Sequence, residues 1–243
     1  MSTTELAAEP ASPTPVVQGL ALGGIGGALA AVVLIGGLDL WTVNWPRNPL
    51  WRTISEYALG PLRPVFDTGV ALLSLGSAAV LVALIARRLA KPWSGGSIAL
   101  ALWSIGLMMV VVFPKHDWQI GPSWNGYVHQ FGSLMAFIAL PIAAIRLSKP
   151  WRADAEWGNW GRWTARLGWL SVAWFAILPA SMIYAKFSTL AWWQVVPLGL
   201  VERGLTLTEV LVVLVLAAWC RRAVRRGAQP QPVTGEPLPS TMA

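Results

Sequence analysis

The chain's 243 residues are 55% hydrophobic and only 12% charged, with a mean hydropathy of +0.55; soluble domains carry about 25% charged residues, which argues against a soluble enzyme or binding module. The net charge of +7 does not indicate a nucleic-acid partner, because the basic residues sit at the ends of apolar runs, where they set topology or meet anionic headgroups. One cysteine, Cys220, excludes an internal disulfide framework and a Cys-rich zinc site, and 16 Trp against 3 Tyr and 6 Phe point to membrane interfaces.

In chain order, residues 1–15 are polar, contain proline and lack Lys or Arg, so they read as a disordered tail and not as a signal peptide. Six apolar runs of membrane length follow, roughly Val16–Leu38, Val65–Ala86, Ser97–Phe113, Tyr127–Ile145, Ala165–Tyr184 and Leu198–Cys220. Pro141 in the fourth is expected to kink that helix without breaking it. Residues 16–222 thus form a single all-α, six-transmembrane-helix bundle, and residues 223–243 a disordered, Pro-rich tail. On the first run, Gly19, Gly23, Gly27 and Ala31 recur every four residues, a spacing that lets a second helix approach closely, within the bundle or across a homodimer.

Topology follows from the basic residues. Arg87, Arg88, Lys91, Arg146, Lys149, Arg152, Arg162, Arg166, Arg221, Arg222, Arg225 and Arg226 fall on one side; Arg47, Arg52, Arg63, Lys115, Lys186 and Arg203 fall on the other. This 12-to-6 split places both termini in the cytoplasm and the protein in the cytoplasmic membrane. Trp93, Trp151, Trp157, Trp160, Trp163 and Trp219 are then expected near the inner interface, and Trp41, Trp45, Trp51, Trp118, Trp124, Trp192 and Trp193 near the outer one.

The outer side also collects the chemistry. Ser55 and Glu56 lie in the first outer loop, Asp67 in the first turn of the second span, His116 and Asp117 after the third, His129 at the start of the fourth, and Glu202 and Arg203 at the start of the sixth. Glu209 lies deeper, on one face with Glu202 and Thr206, and His129 shares a face with Ser133. Ionisable groups inside a span are costly unless they face the bundle interior or a wet cavity, so these groups are expected to converge. Adjacent residues diverge by about 100° on a helix, so Arg203 needs a partner other than Glu202; Glu56 and Asp67 are the candidates, and Asp39, at a span end, reads as solvated. Asp67 can also cap its helix. His116, His129 and Asp117 could together hold a divalent metal such as zinc.

The runs ISEYALGP, FPKHD with GYVHQFGS, and GLVERGL resemble the bacterial and archaeal six-span membrane family known as domain of unknown function 998, over roughly residues 17–222. The run Ile54-Ser55-Glu56 is more distantly similar to the Frag1/DRAM/Sfk1 membrane proteins, which are linked to lipid biology. The resemblance places Ser55, Glu56, Pro114, Asp117, His129, Glu202 and Arg203 on family motif positions and implies no activity.

Three functions fit this reading. The first is a protein that binds a lipid headgroup or other envelope component through Arg203 and an outward cavity of Glu56, Asp67, Asp117 and Glu209. The second is a lipid-directed hydrolase with His129 or Glu202 as general base and Ser55 or a metal completing the site. The third is a small-solute or proton-coupled transporter with Glu202 and Glu209 titrating.

Overall fold

A computed structural model describes residues 14–41, 48–117 and 119–227. Residues 1–13, Trp45, Arg47, Trp118 and residues 228–243, with the expectations attached to them, lie outside the described residues. The fold is all-helical: α1 Thr14–Trp41, a 3-10 turn Ile54–Leu59, α2 Arg63–Ala86, α3 Gly95–Val112, α4 Trp124–Ser148, a 3-10 turn Lys149–Trp151, α5 Gly158–Ala185, the one-turn α6 Trp192–Val195, and α7 Leu198–Arg225. Asp117 and Gly121 share one isolated antiparallel bridge.

The six long helices fall where the apolar runs lie, and α4 passes unbroken through Pro141. The first helix starts earlier than its apolar run, because Thr14 and Pro15 already belong to α1, where proline's fixed φ suits the first turn. The last helix is longer than expected, because Ala223 and Val224 are buried and Arg87 Nη2 donates to the Ala223 carbonyl at 3.2 Å.

Each helix packs on the next, and α7 closes the ring between α5 and α1 while also touching α2 and α4. Among the described residues five helices, α1 to α5, are long and apolar enough to cross a membrane. The sixth long helix, α7, matches them in length but carries Glu202, Arg203, Glu209, Arg221, Arg222 and Arg225. It packs against α1, α2, α4 and α5, and its buried face is the setting in which a membrane helix tolerates charge.

Small residues set a close approach between α1 and α2. A methyl group added at Gly27 would lie 2.3 Å from the Leu72 carbonyl oxygen, and one at Gly24 would lie 2.2 Å from Val80 Cγ2. The expected seam therefore divides. Gly27 is filled by α2 within the bundle, whereas Gly19 and Gly23 have nothing within 4 Å of the added atom.

Hydrogen bonds stitch α2 to α3: Ser74 Oγ donates to the Ser104 carbonyl at 2.8 Å, and Trp103 Nε1 to Ser77 Oγ at 3.0 Å. At the end of the bundle where α7 terminates, Trp151, Trp157 and Trp219 are buried in protein. Trp151 and Trp219 meet edge to face at 5.7 Å, and Trp151 Nε1 donates to the Leu89 carbonyl at 3.0 Å. Burial makes all three part of the core, and Trp151 does so with its indole N–H satisfied. Arg226 closes this end by pairing with Glu156 and lying over the Trp157 ring at 5.9 Å.

Candidate functional site

At the opposite end, where α1 stops and α7 begins, two polar assemblies stand side by side. The first is built on Arg203. Its Nη2 and Nε donate to Asp39 Oδ1 and Oδ2 at 2.5 and 2.9 Å. Its Nη1 reaches the carbonyls of Pro49, Arg52 and Gly199 at 2.6, 2.8 and 3.0 Å. Tyr57 Oη donates to Asp39 Oδ1 at 2.8 Å.

The guanidinium fork matches a carboxylate bidentately, and its remaining side here is taken by backbone carbonyls. Arg203 is thus half-buried and held on both edges of its fork. Two expectations are corrected. Its partner is Asp39, which is not merely solvated, while Glu56 pairs with Arg52 at 2.7 Å and Asp67 with Arg63 at 2.9 Å. Nε, Nη1 and one N–H of Nη2 are thus engaged within the protein. Asp67 does not cap α2, whose N-cap is Leu62.

The second assembly is built on Lys115, which the sequence reading counted for topology and did not weigh as a site residue. Lys115 Nζ donates to Ser55 Oγ at 2.9 Å and to Thr53 Oγ1 at 3.0 Å, and Ser55 Oγ donates to Thr53 Oγ1 at 3.2 Å. Burial pushes the Lys115 ammonium below the usual lysine range, against the pull of Glu202 and Glu56, with Arg52 adding to the depression. The Ile54 N–H donates to Glu202 Oε2 at 2.5 Å, so α7 fixes the backbone that carries Ser55.

These groups border a cavity of about 1470 Å³. Around it stand Trp51, Thr53, Ser55, Glu56, Lys115, His116, Asp117, His129, Gln130, Trp192, Trp193, Gln194 and Glu202, together with the apolar Phe137, Leu178, Leu198, Val201 and Leu205. Polarity falls with depth. Along α4 the lining runs from Gly126 through His129 and Ser133 to Phe137, and Trp124 to Phe137 is about 20 Å of helical rise.

His129 is buried; its Nδ1 sits 2.9 Å from the Phe113 carbonyl, and its Nε2 has no hydrogen-bond partner among the described residues. Ser133 Oγ, one turn on, donates to the His129 carbonyl at 2.9 Å and not to the ring. His116 is also buried, its Nδ1 accepting the Ser123 N–H at 2.9 Å and its ring meeting Tyr127 edge to face at 4.8 Å. Gly126 makes room for it, since a methyl group there would lie 2.1 Å from His116 Nδ1. Asp117 Oδ1 accepts the Gln119 N–H at 3.0 Å and shapes the turn before α4.

Among the described residues no three His, Cys, Asp or Glu side chains form a metal-ligand group. His116, His129 and Asp117 therefore do not make the proposed zinc site: His116 and Asp117 are spent on the α3–α4 turn, and His129 turns Nδ1 to a backbone carbonyl. Glu209 is fully buried, and neither of its carboxyl oxygens has a hydrogen-bond partner among the described residues. It is not part of the cavity lining, so the sequence-derived grouping with Glu202 holds along the helix but not in the site.

A ring of long apolar helices with a polar-rimmed cavity at one end is a multi-pass helical membrane protein. Residues 19–219 match the family described as Protein of unknown function (DUF998), and the chain belongs to that family. No curated protein and no solved structure matches it.

Proposed function

We propose that this protein spans the cytoplasmic membrane six times, with both termini inside, and holds an amphiphilic envelope component, a lipid or lipid-linked molecule, by its headgroup in an outward-opening cavity. The observation that carries this reading is the gradient in the lining, from Lys115, Thr53, Ser55 and Gln194 at the polar end to Phe137, Leu178 and Leu205 below. An ammonium with hydroxyls beside it suits an anionic headgroup, and the apolar depth suits an acyl chain. Trp51, Trp192 and Trp193 supply rings of the kind that sit at headgroup level. The outward placement rests on the 12-to-6 division of Lys and Arg. A reporter fused after Arg226 that reads extracytoplasmic removes it.

The direct test is mass spectrometry of the organic extract of protein purified in mild detergent. An amphiphile is expected in near-stoichiometric amount in the wild type. It should fall at least tenfold in Lys115→Gln and in Leu178→Trp, which fills the cavity, with melting temperature little changed. Wild-type protein that carries no amphiphile, or variants that carry as much as the wild type, overturn the reading.

A further inference from the structure

The Lys115 cluster has a geometry that headgroup binding alone does not call for. A serine hydroxyl stands 2.9 Å from a lysine amine, a threonine hydroxyl closes the triangle, and the group faces a cavity with apolar walls. A weak nucleophile becomes reactive when a base stands within hydrogen-bond reach, and serine with lysine is one such pair. We propose that Ser55 and Lys115 are the nucleophile and general base of an esterase site that cleaves carboxylic esters of amphiphiles held in the cavity. The proposal rests on the binding reading above for its substrate class.

The step balances without a cofactor. Neutral Lys115 Nζ takes the Ser55 hydroxyl proton as Oγ bonds to the ester carbonyl carbon. The tetrahedral intermediate collapses, the bond from carbon to the alcohol oxygen breaks, and the Lys115 ammonium returns its proton to the departing alkoxide. Water then attacks the acyl-serine while Lys115 takes a proton from it. The acid leaves, and Ser55 Oγ recovers its proton.

Two features favour this assignment over the bases the sequence suggested. The side-chain partners of Ser55 Oγ are Lys115 and Thr53, whereas His129 Nδ1 is turned to the Phe113 carbonyl and Glu202 holds the Ile54 N–H. The charged and titratable groups facing Lys115 are Glu202 from α7, Glu56 from the 3-10 turn, Arg52 before it and His129 from α4. The two carboxylates hold the proton on the amine, while burial and Arg52 release it, and burial is the largest influence.

The test uses the full-length protein in detergent, an alkyl fluorophosphonate to mark an activated serine, and p-nitrophenyl decanoate as the ester. The fluorophosphonate adduct is expected on Ser55, and nitrophenol release is expected to disappear in Ser55→Ala. Lys115→Met should slow both by about a hundredfold or more, the usual worth of a general base. Lys115→Arg should slow them as much, because arginine donates hydrogen bonds but does not take up a proton at working pH. In the wild type, labelling should rise with pH and level off below the ~10.4 at which a free lysine titrates. The absence of a Ser55 adduct on folded wild type, release that survives Ser55→Ala, or full reactivity in Lys115→Arg each overturns the proposal. Its failure is separable from that of the binding reading, because an amphiphile recovered intact beside an unreactive Ser55 leaves the cavity a binding site.

Discussion

Two cations, Arg203 and Lys115, stand on neighbouring elements at the same end of the bundle, and their surroundings are opposite. Arg203 spends its guanidinium on one carboxylate and three backbone carbonyls. Lys115 meets two neutral hydroxyls beside a cavity, and its nearby carboxylates hydrogen-bond elsewhere, Glu56 to Arg52 and Glu202 to the Ile54 N–H. A charge matched by a carboxylate and backbone carbonyls has most of its bonding capacity committed within the protein, so its main effect is to hold the chain in place. A charge desolvated beside groups that do not neutralise it keeps that capacity. The comparison assigns stability to the first cluster and chemistry to the second, and it can be broken at several points.

The largest expected effect is at Arg203. Arg203→Ala leaves Asp39 and three carbonyls without their shared donor, and losing one partner of such a pair costs about 3–5 kcal/mol. Melting temperature in detergent should fall steeply, and Arg203→Lys should restore only part, since an ammonium does not reproduce the bidentate fork. A melting temperature unchanged in Arg203→Ala would mean that the cluster is ornamental.

Gly199→Ala tests the same assembly from the backbone. The added methyl group would lie 2.2 Å from the Pro49 carbonyl oxygen and 2.3 Å from that of Arg52, two of the acceptors that Arg203 uses. Overpacking of this kind costs about 1–3 kcal/mol, so thermal denaturation should show a clear but smaller loss. Wild-type stability in Gly199→Ala would contradict the close approach of α7 to the chain before the 3-10 turn.

Lys115→Met should have the smallest effect on stability, and its sign depends on pH. The folded-state pKa of Lys115 lies below its ordinary value of 10.5. Between those two values the unfolded chain binds more protons than the folded one, so this group's contribution to stability rises with pH across that window; below it, the full cost of burying the ammonium is present. The wild type should therefore gain on Lys115→Met as pH rises from neutrality toward 10.5. A difference in melting temperature that stays constant over this range would show that Lys115 is not desolvated.

The helices were legible because their cause is local: 18 to 28 residues of continuous apolar sequence leave no other structure in a bilayer. The convergence of polar groups at one end was legible for the same reason, since charge within a span must find shelter. Partners were not. Asp39 and Arg203 are 164 residues apart, and only the packing of α7 against α1 brings them together. The sign was there in outline, since Asp39 is the only acid on α1 and sits at the end that α7 opens. Lys115 was hidden by its setting in FPKHD, where a loop lysine next to a histidine and an aspartate reads as solvated. Its burial comes from the residues around Thr53 and Ser55 folding over it, about 60 positions earlier in the chain. The metal reading failed through geometry, because residue types suited to a metal were used to build a turn.

The contact between Arg203 and the chain before the 3-10 turn also has a meaning in time. A polypeptide emerges from the ribosome and enters the bilayer in sequence order. The carbonyls of Pro49 and Arg52 and the carboxylate of Asp39 therefore wait, through the synthesis of four further long helices, for a donor that arrives only with α7. Until then the first connecting segment lacks its fastening to the last helix, and the wall that will carry Thr53 and Ser55 is held only by Lys115 and its local contacts. The cavity is a late product of biogenesis, completed when the last helix locks the first, and a nascent chain interrupted before residue 198 carries most of the lining residues without the clasp that arranges them.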